Sequence, residues 1–359
     1  MQREEILGWL RQDRPDALER LQKRADRVRR ERVGDAVHLR AIVEISNVCA
    51  RRCAYCGLRG PNSRLPRYCM TAAEVLACAR RARRCGLGTV VLQAGESDAL
   101  CADWISDLIR RIKRETDLAI TLSLGERSPE ELAAWRRAGA DRYLLRFETS
   151  NAELLQRVHP PRPDRPERSR LALLGELRSL GYEVGSGCMV GLPGQQLADL
   201  ADDIALFGEL DLDMVGLGPY LAHPDTPMGR NPARYLAASE QVPASVEMCC
   251  KALALTRLAC PDANIPATTA LVTLAPEDGL ERGLRWGANV FMPNLTPSEY
   301  RASYRIYPGK ADCADGDPDA LQRRLRRLGR TPGRGRGDSP NWLARRAAPS
   351  AANGLRPVA

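Results

Sequence analysis

The sequence predicts an α/β fold: a closed (βα)8 barrel of TIM type with an N-terminal helical cap and a C-terminal extension. Eight short apolar runs alternate with seven segments whose apolar residues recur at helical spacing. Strands separated by helices pair in parallel through right-handed crossovers. Eight such units is the number that closes a barrel, and 359 residues suit one barrel with extensions. An open doubly wound sheet is the alternative arrangement of the same rhythm.

Residues 1–36 are charged and helical, with Ile6, Leu7, Leu10, Leu18 and Leu21 on the apolar face, and form the cap. The barrel spans 37–330. Its first strand is 38–45. A helix starts at Thr71, where Thr71 and Glu74 make a capping box. Strand 89–92 follows, then a helix over 99–115, then strand 119–124. Ser128 and Pro129 open the next helix with a cap and a first-turn proline. Strand 142–147 precedes a helix at about 166–180 that stops at Gly181. Strand 184–190, helix 196–209, strand 214–217 and helix 244–259 continue the alternation. Strand 265–271, helix 276–286 and strand 289–292 complete it. Residues 331–359, rich in Gly, Arg and Pro, read as a poorly ordered basic tail.

Hydrophobic residues make up 44% of the chain, enough for a sizeable core. No apolar run approaches the roughly 18 residues of a membrane span, and the N-terminus has no apolar leader. A cytoplasmic protein without membrane contact is expected. The net charge of +9 suggests nucleic acid, but aromatics are only 5% and arginines alternate with acids. A solvated arginine-rich surface is the expected meaning, with no nucleic-acid partner. His159 and His223 lie in proline-containing loops and are expected to face solvent.

Twelve cysteines are many for a chain with no export signal, where a disulfide framework is not expected. Cys78, Cys85, Cys101, Cys188, Cys249, Cys250 and Cys260 sit in apolar or helical patterns and read as small buried hydrophobes. Cys49, Cys53 and Cys56 differ, because they crowd one loop directly after the first strand. A structural zinc site wants four ligands, and Cys69, the nearest further thiol, lies beyond a proline-containing stretch. Three thiolates suit a four-iron cluster with one iron left open.

The pattern Cys49-x3-Cys53-x-Tyr55-Cys56 after the first strand of a parallel barrel resembles the signature of the radical S-adenosylmethionine (SAM) superfamily. Within it, further motifs resemble the FeFe-hydrogenase maturases of HydE type: Glu44-Ile-Ser-Asn47, Leu92-Gln93-Ala-Gly-Glu96, Thr121-Leu-Ser123-Leu-Gly-Glu126, Arg146-x-Glu148-Thr149, Met189-Val-Gly-Leu-Pro-Gly-Gln195, Ala267-Thr268-Thr269-Ala270 and Tyr304-x-x-Tyr307-Pro-Gly-Lys310. The resemblance implies one 4Fe-4S cluster on Cys49, Cys53 and Cys56, and SAM as the source of a 5′-deoxyadenosyl radical. It implies that Tyr55, Gln93, Glu148 and Arg170 bind SAM. Thr121, Ser123, Arg146, Thr268, Thr269, Tyr304 and Tyr307 would line the substrate cavity. The substrate would be a small iron complex carrying CO, cyanide and cysteine, and the partners hydrogenase maturation factors. The alternative is a related enzyme acting on an amino acid, of methylornithine synthase type. Some relatives carry a second cysteine site near the barrel's C-terminal end; Cys313 stands alone there, so one cluster is expected.

Overall fold

The computed structural model describes residues 1–162, 164–165, 168–236, 239–311 and 318–348, the side chains of 318–320 excepted. Among the described residues ten strands run in chain order: β1 Ala36–Ser46, β2 Thr89–Ala94, β3 Ala119–Ser123, β4 Arg142–Leu144, β5 Glu183–Ser186, β6 Met189–Val190, β7 Met214–Val215, β8 Gly218–Pro219, β9 Val290–Phe291 and β10 Thr331–Gly333. The main sheet has the order β10-β1-β2-β3-β4-β5-β7, β9 also pairs with β1, and β6 and β8 form a separate pair. Every ladder is parallel.

The caps read from sequence form. Thr71 and Glu74 make a reciprocal capping box at the start of Ala72–Arg84, and Ser128 and Glu131 do the same for Pro129–Ala138. Apolar spacing then decides which face turns inward. Helix Ala102–Glu115 buries Ile105, Leu108, Ile109 and Ile112, one stripe at intervals of three and four. These residues join the outward side chains of the strands, such as Val43, Leu92 and Leu122, in one core between sheet and helix ring. The N-terminal helices Arg3–Leu10 and Pro15–Val33 pack on that ring, against helices Leu197–Glu209 and Val246–Ala259. The buried Lys251 ammonium fixes their junction by donating to the carbonyls of Leu10 and Gln12.

The ladders form a parallel half-barrel of the TIM type, and they do not trace the whole of the closed eight-stranded barrel expected from sequence. The difference lies at 265–271. That segment makes only isolated bridges, Met214 with Asn264 and Pro266 with Val290, and its second half enters the helix Thr269–Leu274. Pro266 has no N–H for a ladder, and Thr268 caps the helix by accepting from Leu271 N. An apolar run flanked by those two residues is a strand-to-helix turn.

A second correction concerns the tail. Thr331–Gly333 is a strand on β1, and Pro340–Ala347 is a helix. Between them the chain crosses the N-terminal end of the barrel. The Arg336 carbonyl accepts from Thr89 and Arg142, and the Gly337 carbonyl from Arg40 and Asn264, at 2.9–3.0 Å. Asp338 pairs with Arg142, which also pairs with Glu183. The glycine and arginine content that reads as disorder is what lets backbone carbonyls approach these buried cations. The remainder of the tail, 349–359, and Cys313 lie outside the described residues.

Candidate active site

The C-terminal ends of the strands open into a cavity of about 280 Å³. Cys49, Cys53 and Cys56 form part of its wall, on the loop that follows β1. That loop has no regular structure, so its backbone groups must find partners elsewhere. Ala50 N donates to Glu96 O, Ala54 N to Val158 O, Gly57 N to Ile306 O and Gly60 N to Arg51 O, at 2.7–3.0 Å. The buried Asn47 amide donates to Pro66 O and Ser303 O and accepts from Tyr68 N. The Arg67 guanidinium binds four carbonyls, those of Asn47, Leu58, Arg59 and Asn62.

Two glycines permit this wrapping. A Cβ at Gly95 would come within 2.4 Å of Val48 O, and one at Gly57 within 2.1 Å of Arg305 O. Burial pushes the thiols up, Cys53 well above the usual range and Cys56 to about 12, with Cys49 as a like-charged neighbour. Nearby cations pull the other way: Arg51 on Cys49, Arg170 and Arg51 on Cys53, and Arg67 on Cys56. Among the described residues no three His, Cys, Asp or Glu side chains converge on a single ion. The three thiols are free and border a shared space wider than one ion.

Behind the thiols runs a network of ions. Gly95-Glu96 directly follows β2, and Gly125-Glu126 follows β3 after Leu124. Arg51 donates to Glu96 at 2.8 Å and pairs with Glu126 at 2.5 Å. Arg170, at the start of helix Arg170–Ser179, donates to Glu126 at 2.9 Å, to Arg146 O at 2.5 Å and to His159 Nε2 at 2.6 Å. A guanidinium only donates, so Nε2 is the acceptor and the His159 proton sits on Nδ1. Burial, then Arg170 and Arg51, hold the imidazole neutral, well below its ordinary pKa. Nδ1 lies 2.7 Å from the Tyr55 hydroxyl and 3.2 Å from Cys53 Sγ. His159 therefore joins the cysteine loop to the ion network, contrary to the expectation of a solvent-facing histidine. His223 is also buried, against Gly57. Two other sequence expectations differ: Cys101 is exposed and Cys85 half-buried.

On the opposite wall, Glu148 has φ +70°, a strained conformation for a side chain with a Cβ. It is held by Glu148 N donating to Gly187 O and by Met189 N donating to Glu148 O. Glu148 Oε2 is buried without a hydrogen bond, although Arg146 Nη2 lies 3.2 Å away. Arg146 Nε and the Tyr220 hydroxyl, also on the cavity wall, are likewise unsatisfied. Buried polar atoms left without partners are costly, and here they border one cavity. Gln93 donates to the Tyr304 hydroxyl at 3.3 Å, and Gln93 and Ser123 are paired neighbours on adjacent strands.

Of the residues named from sequence, the cavity brings together Cys49, Cys53, Cys56, Tyr55, Gln93, Ser123, Arg146, Glu148, Arg170, Thr268, Tyr304 and Tyr307. Thr121 lies outside its lining, buried with an unpaired hydroxyl. Thr269 is also outside the lining, in the first turn of its helix. Arg51, Glu96, Glu126 and His159 went unassigned from sequence. The repeated Gly-Glu after successive strands was a usable signal for the two carboxylates; His159 has none.

Tyr304 and Tyr307 belong to a segment, 303–311, that crosses the barrel mouth. Lys310 pairs with Glu44, a carboxylate 1% exposed, and its ammonium lies 4.8 Å from the Tyr304 ring centre. Lys310→Met is expected to destabilise the protein by about 3 kcal/mol, because it strands a buried charge. The Lys310→Met/Glu44→Gln pair should regain more than about 1 kcal/mol of that loss. Denaturant unfolding of the four proteins measures this, and additive losses would refute the coupling.

A family model described as the radical SAM superfamily matches residues 43–207. The chain is 48% identical over 319 residues, 88% of this chain and 87% of the relative, to the FeFe hydrogenase maturase subunit HydE of Thermotoga maritima. It is 26% identical over 324 residues, 89% and 87% of the two chains, to the 3-methylornithine synthase of Methanosarcina barkeri. Among solved structures, methylornithine synthase PylB superposes with a TM-score of 0.77 at 24% identity, over 93% of this chain and 94% of that one. HydG, a maturase of the FeFe-hydrogenase, gives 0.77 at 20% identity, over 93% and 73%. No helix among the described residues is long and apolar enough to cross a membrane.

Proposed function

Because the chain belongs to the HydE family of hydrogenase maturases, within the radical SAM superfamily, we propose that its thiol-lined cavity is where that family's chemistry takes place. The observation that carries this reading is three free thiols and a set of orphaned polar atoms bordering one cavity at the strand ends. The family's cofactors are a 4Fe-4S cluster and SAM. Cys49, Cys53 and Cys56 would hold the cluster, leaving one iron for the amino and carboxylate groups of SAM. Bound together and reduced, the two supply a 5′-deoxyadenosyl radical.

The protein's task is position and exclusion. Glu148 Oε2, without a hydrogen bond, would accept from the amino group or ribose hydroxyls. Arg170, with Arg146 beside it, would attract the carboxylate. His159 keeps Tyr55 turned into the cavity, and Gln93 stands between this region and Tyr304. Ser123, Arg146, Thr268, Tyr304 and Tyr307 would receive the substrate, with Thr121 and Thr269 shaping the floor and rim. We take the substrate to be a small iron complex carrying CO, cyanide and cysteine, handled in the cytoplasm with other maturation factors. The amino-acid alternative rests on much lower identity, 26% against 48%.

Two measurements test this. Anaerobic reconstitution should give about four irons per chain and release 5′-deoxyadenosine on reduction. Deleting the gene should abolish FeFe-hydrogenase activity while the hydrogenase's ordinary clusters still assemble. A colourless zinc protein, or undiminished hydrogenase, would overturn the proposal.

A further inference from the structure

We infer that the outer face of the cysteine loop is a docking surface for an acidic one-electron carrier protein, which delivers the electron the cluster requires. The inference rests on the cluster assignment above. It starts from a local charge imbalance. Residues 49–67 contain Arg51, Arg52, Arg59, Arg64 and Arg67 and no Asp or Glu. Elsewhere on the surface arginines meet acids, as in Arg11 with Glu240, Arg32 with Asp262 and Arg80 with Glu115.

In the loop Arg51 meets Glu96 and Glu126 and Arg64 meets Asp225, but Arg52, Arg59 and Arg67 meet no acid among the described residues. Arg52 is exposed, with no carboxylate in salt-bridge range among the described residues. Arg59 turns its guanidinium to the carbonyls of Cys53 and Arg52, and Arg67 to four further carbonyls. Their charges are hydrogen-bonded but not neutralised. Two neighbouring segments add cations. Arg230 ends the short helix Pro227–Arg230, whose Met228 N donates to Ala54 O. Arg305 is exposed on the segment whose backbone covers Gly57. Arg59 feels repulsion from both Arg230 and Arg52, so these charges share one field. Asp225, beside them, is matched by Arg64.

The position of this patch matters as much as its sign. Arg52 adjoins Cys53 in the chain, and Arg59 Nε lies 3.1 Å from the Cys53 carbonyl. The surface is thus about one residue away from a cluster ligand. The other approach, through the cavity, is reserved for SAM and substrate. A carrier seated on the arginines loses one electron and the cluster gains it; no atom or proton is transferred. Complementary charge speeds and orients such encounters. A single-stranded nucleic acid would also be drawn to the cations but needs stacking rings. Tyr55 lines the cavity, Tyr68 donates to Glu44 O, and the Tyr235 ring near Arg59 is already covered by Arg157.

The test uses the reconstituted holoenzyme and a small acidic 4Fe-4S ferredoxin as probe. Calorimetric titration with oxidised ferredoxin should show binding that weakens with added salt. Arg52→Glu/Arg230→Glu/Arg305→Glu should weaken it by about 10-fold or more, and the matching Gln variant by less. Ferredoxin-driven SAM cleavage should fall in parallel, while cleavage driven by dithionite and the iron content stay at wild-type values. Equal affinity of wild type and charge-reversed protein would overturn the inference. So would tighter binding of a single-stranded RNA oligomer to the same face. Absence of dithionite-driven cleavage in the wild type would instead overturn the cluster assignment, and the inference with it.

Discussion

Cys53→Ser is expected to yield a folded chain without a complete four-iron cluster, its SAM cleavage lowered by about 10³-fold or more. The reason begins with the thiol. Cys53 is buried, and burial raises its pKa well above the ordinary value, with Cys56 and Cys49 adding repulsion. Arg170 and Arg51 offset that in part and bound iron would supply the rest, whereas an alkoxide in the same place is far harder to form and a poorer partner for iron. The loop should survive the change. Its shape is set by Asn47, Arg67 and the backbone bonds of Ala50, Ala54 and Gly57, none of which uses the sulfur. Iron analysis, visible absorbance and 5′-deoxyadenosine yield on one preparation decide the matter. A Cys53→Ser protein with wild-type cleavage would remove Cys53 from the ligand set.

Arg170→Met is expected to lower stability by about 3 kcal/mol and SAM affinity by about 100-fold. Arg170 donates to Glu126, to the Arg146 carbonyl and to His159 Nε2. Without it, Glu126 is left with Arg51, and His159 loses the donor that fixes its tautomer and thereby its bond to Tyr55. Arg170→Lys keeps the charge but offers no planar fork. It should recover most of the stability and little of the affinity. Denaturant unfolding and equilibrium dialysis of SAM against the reconstituted protein separate the two effects. Wild-type SAM affinity in Arg170→Met would move carboxylate recognition elsewhere in the cavity, with Arg146 the nearest candidate.

How far such a site can be read from sequence differs residue by residue. Cys49, Cys53 and Cys56 are legible because their spacing is local and excludes a regular helix. Gln93 and Ser123 are legible because each falls at the C-terminal end of a strand-like run. Arg170 was named for a role in ligand binding; its bonds to Glu126 and His159 were not foreseen. Thr268 was assigned to a strand and instead caps a helix, although it still reaches the cavity. Glu148 was identified, but its left-handed backbone has no signature in a sequence that supplies no glycine there.

The sequence by itself determined the parallel α/β alternation, the helix caps at Thr71 and Ser128, the cysteine loop and the strand-end positions that face the mouth. Each rests on interactions within a few residues, where periodicity, capping and spacing act directly. The tertiary structure alone decided that the half-barrel is left without a ladder near 265–271 and that the stretch after Arg330 covers its base. It also decided that His159 lies between Tyr55 and Arg170. Those outcomes depend on buried donors and acceptors brought together from distant parts of the chain, such as Arg142 with the Arg336 carbonyl or Arg51 with Glu126. Each buried polar group must find a partner, and which partner is in reach is settled only once the chain has folded.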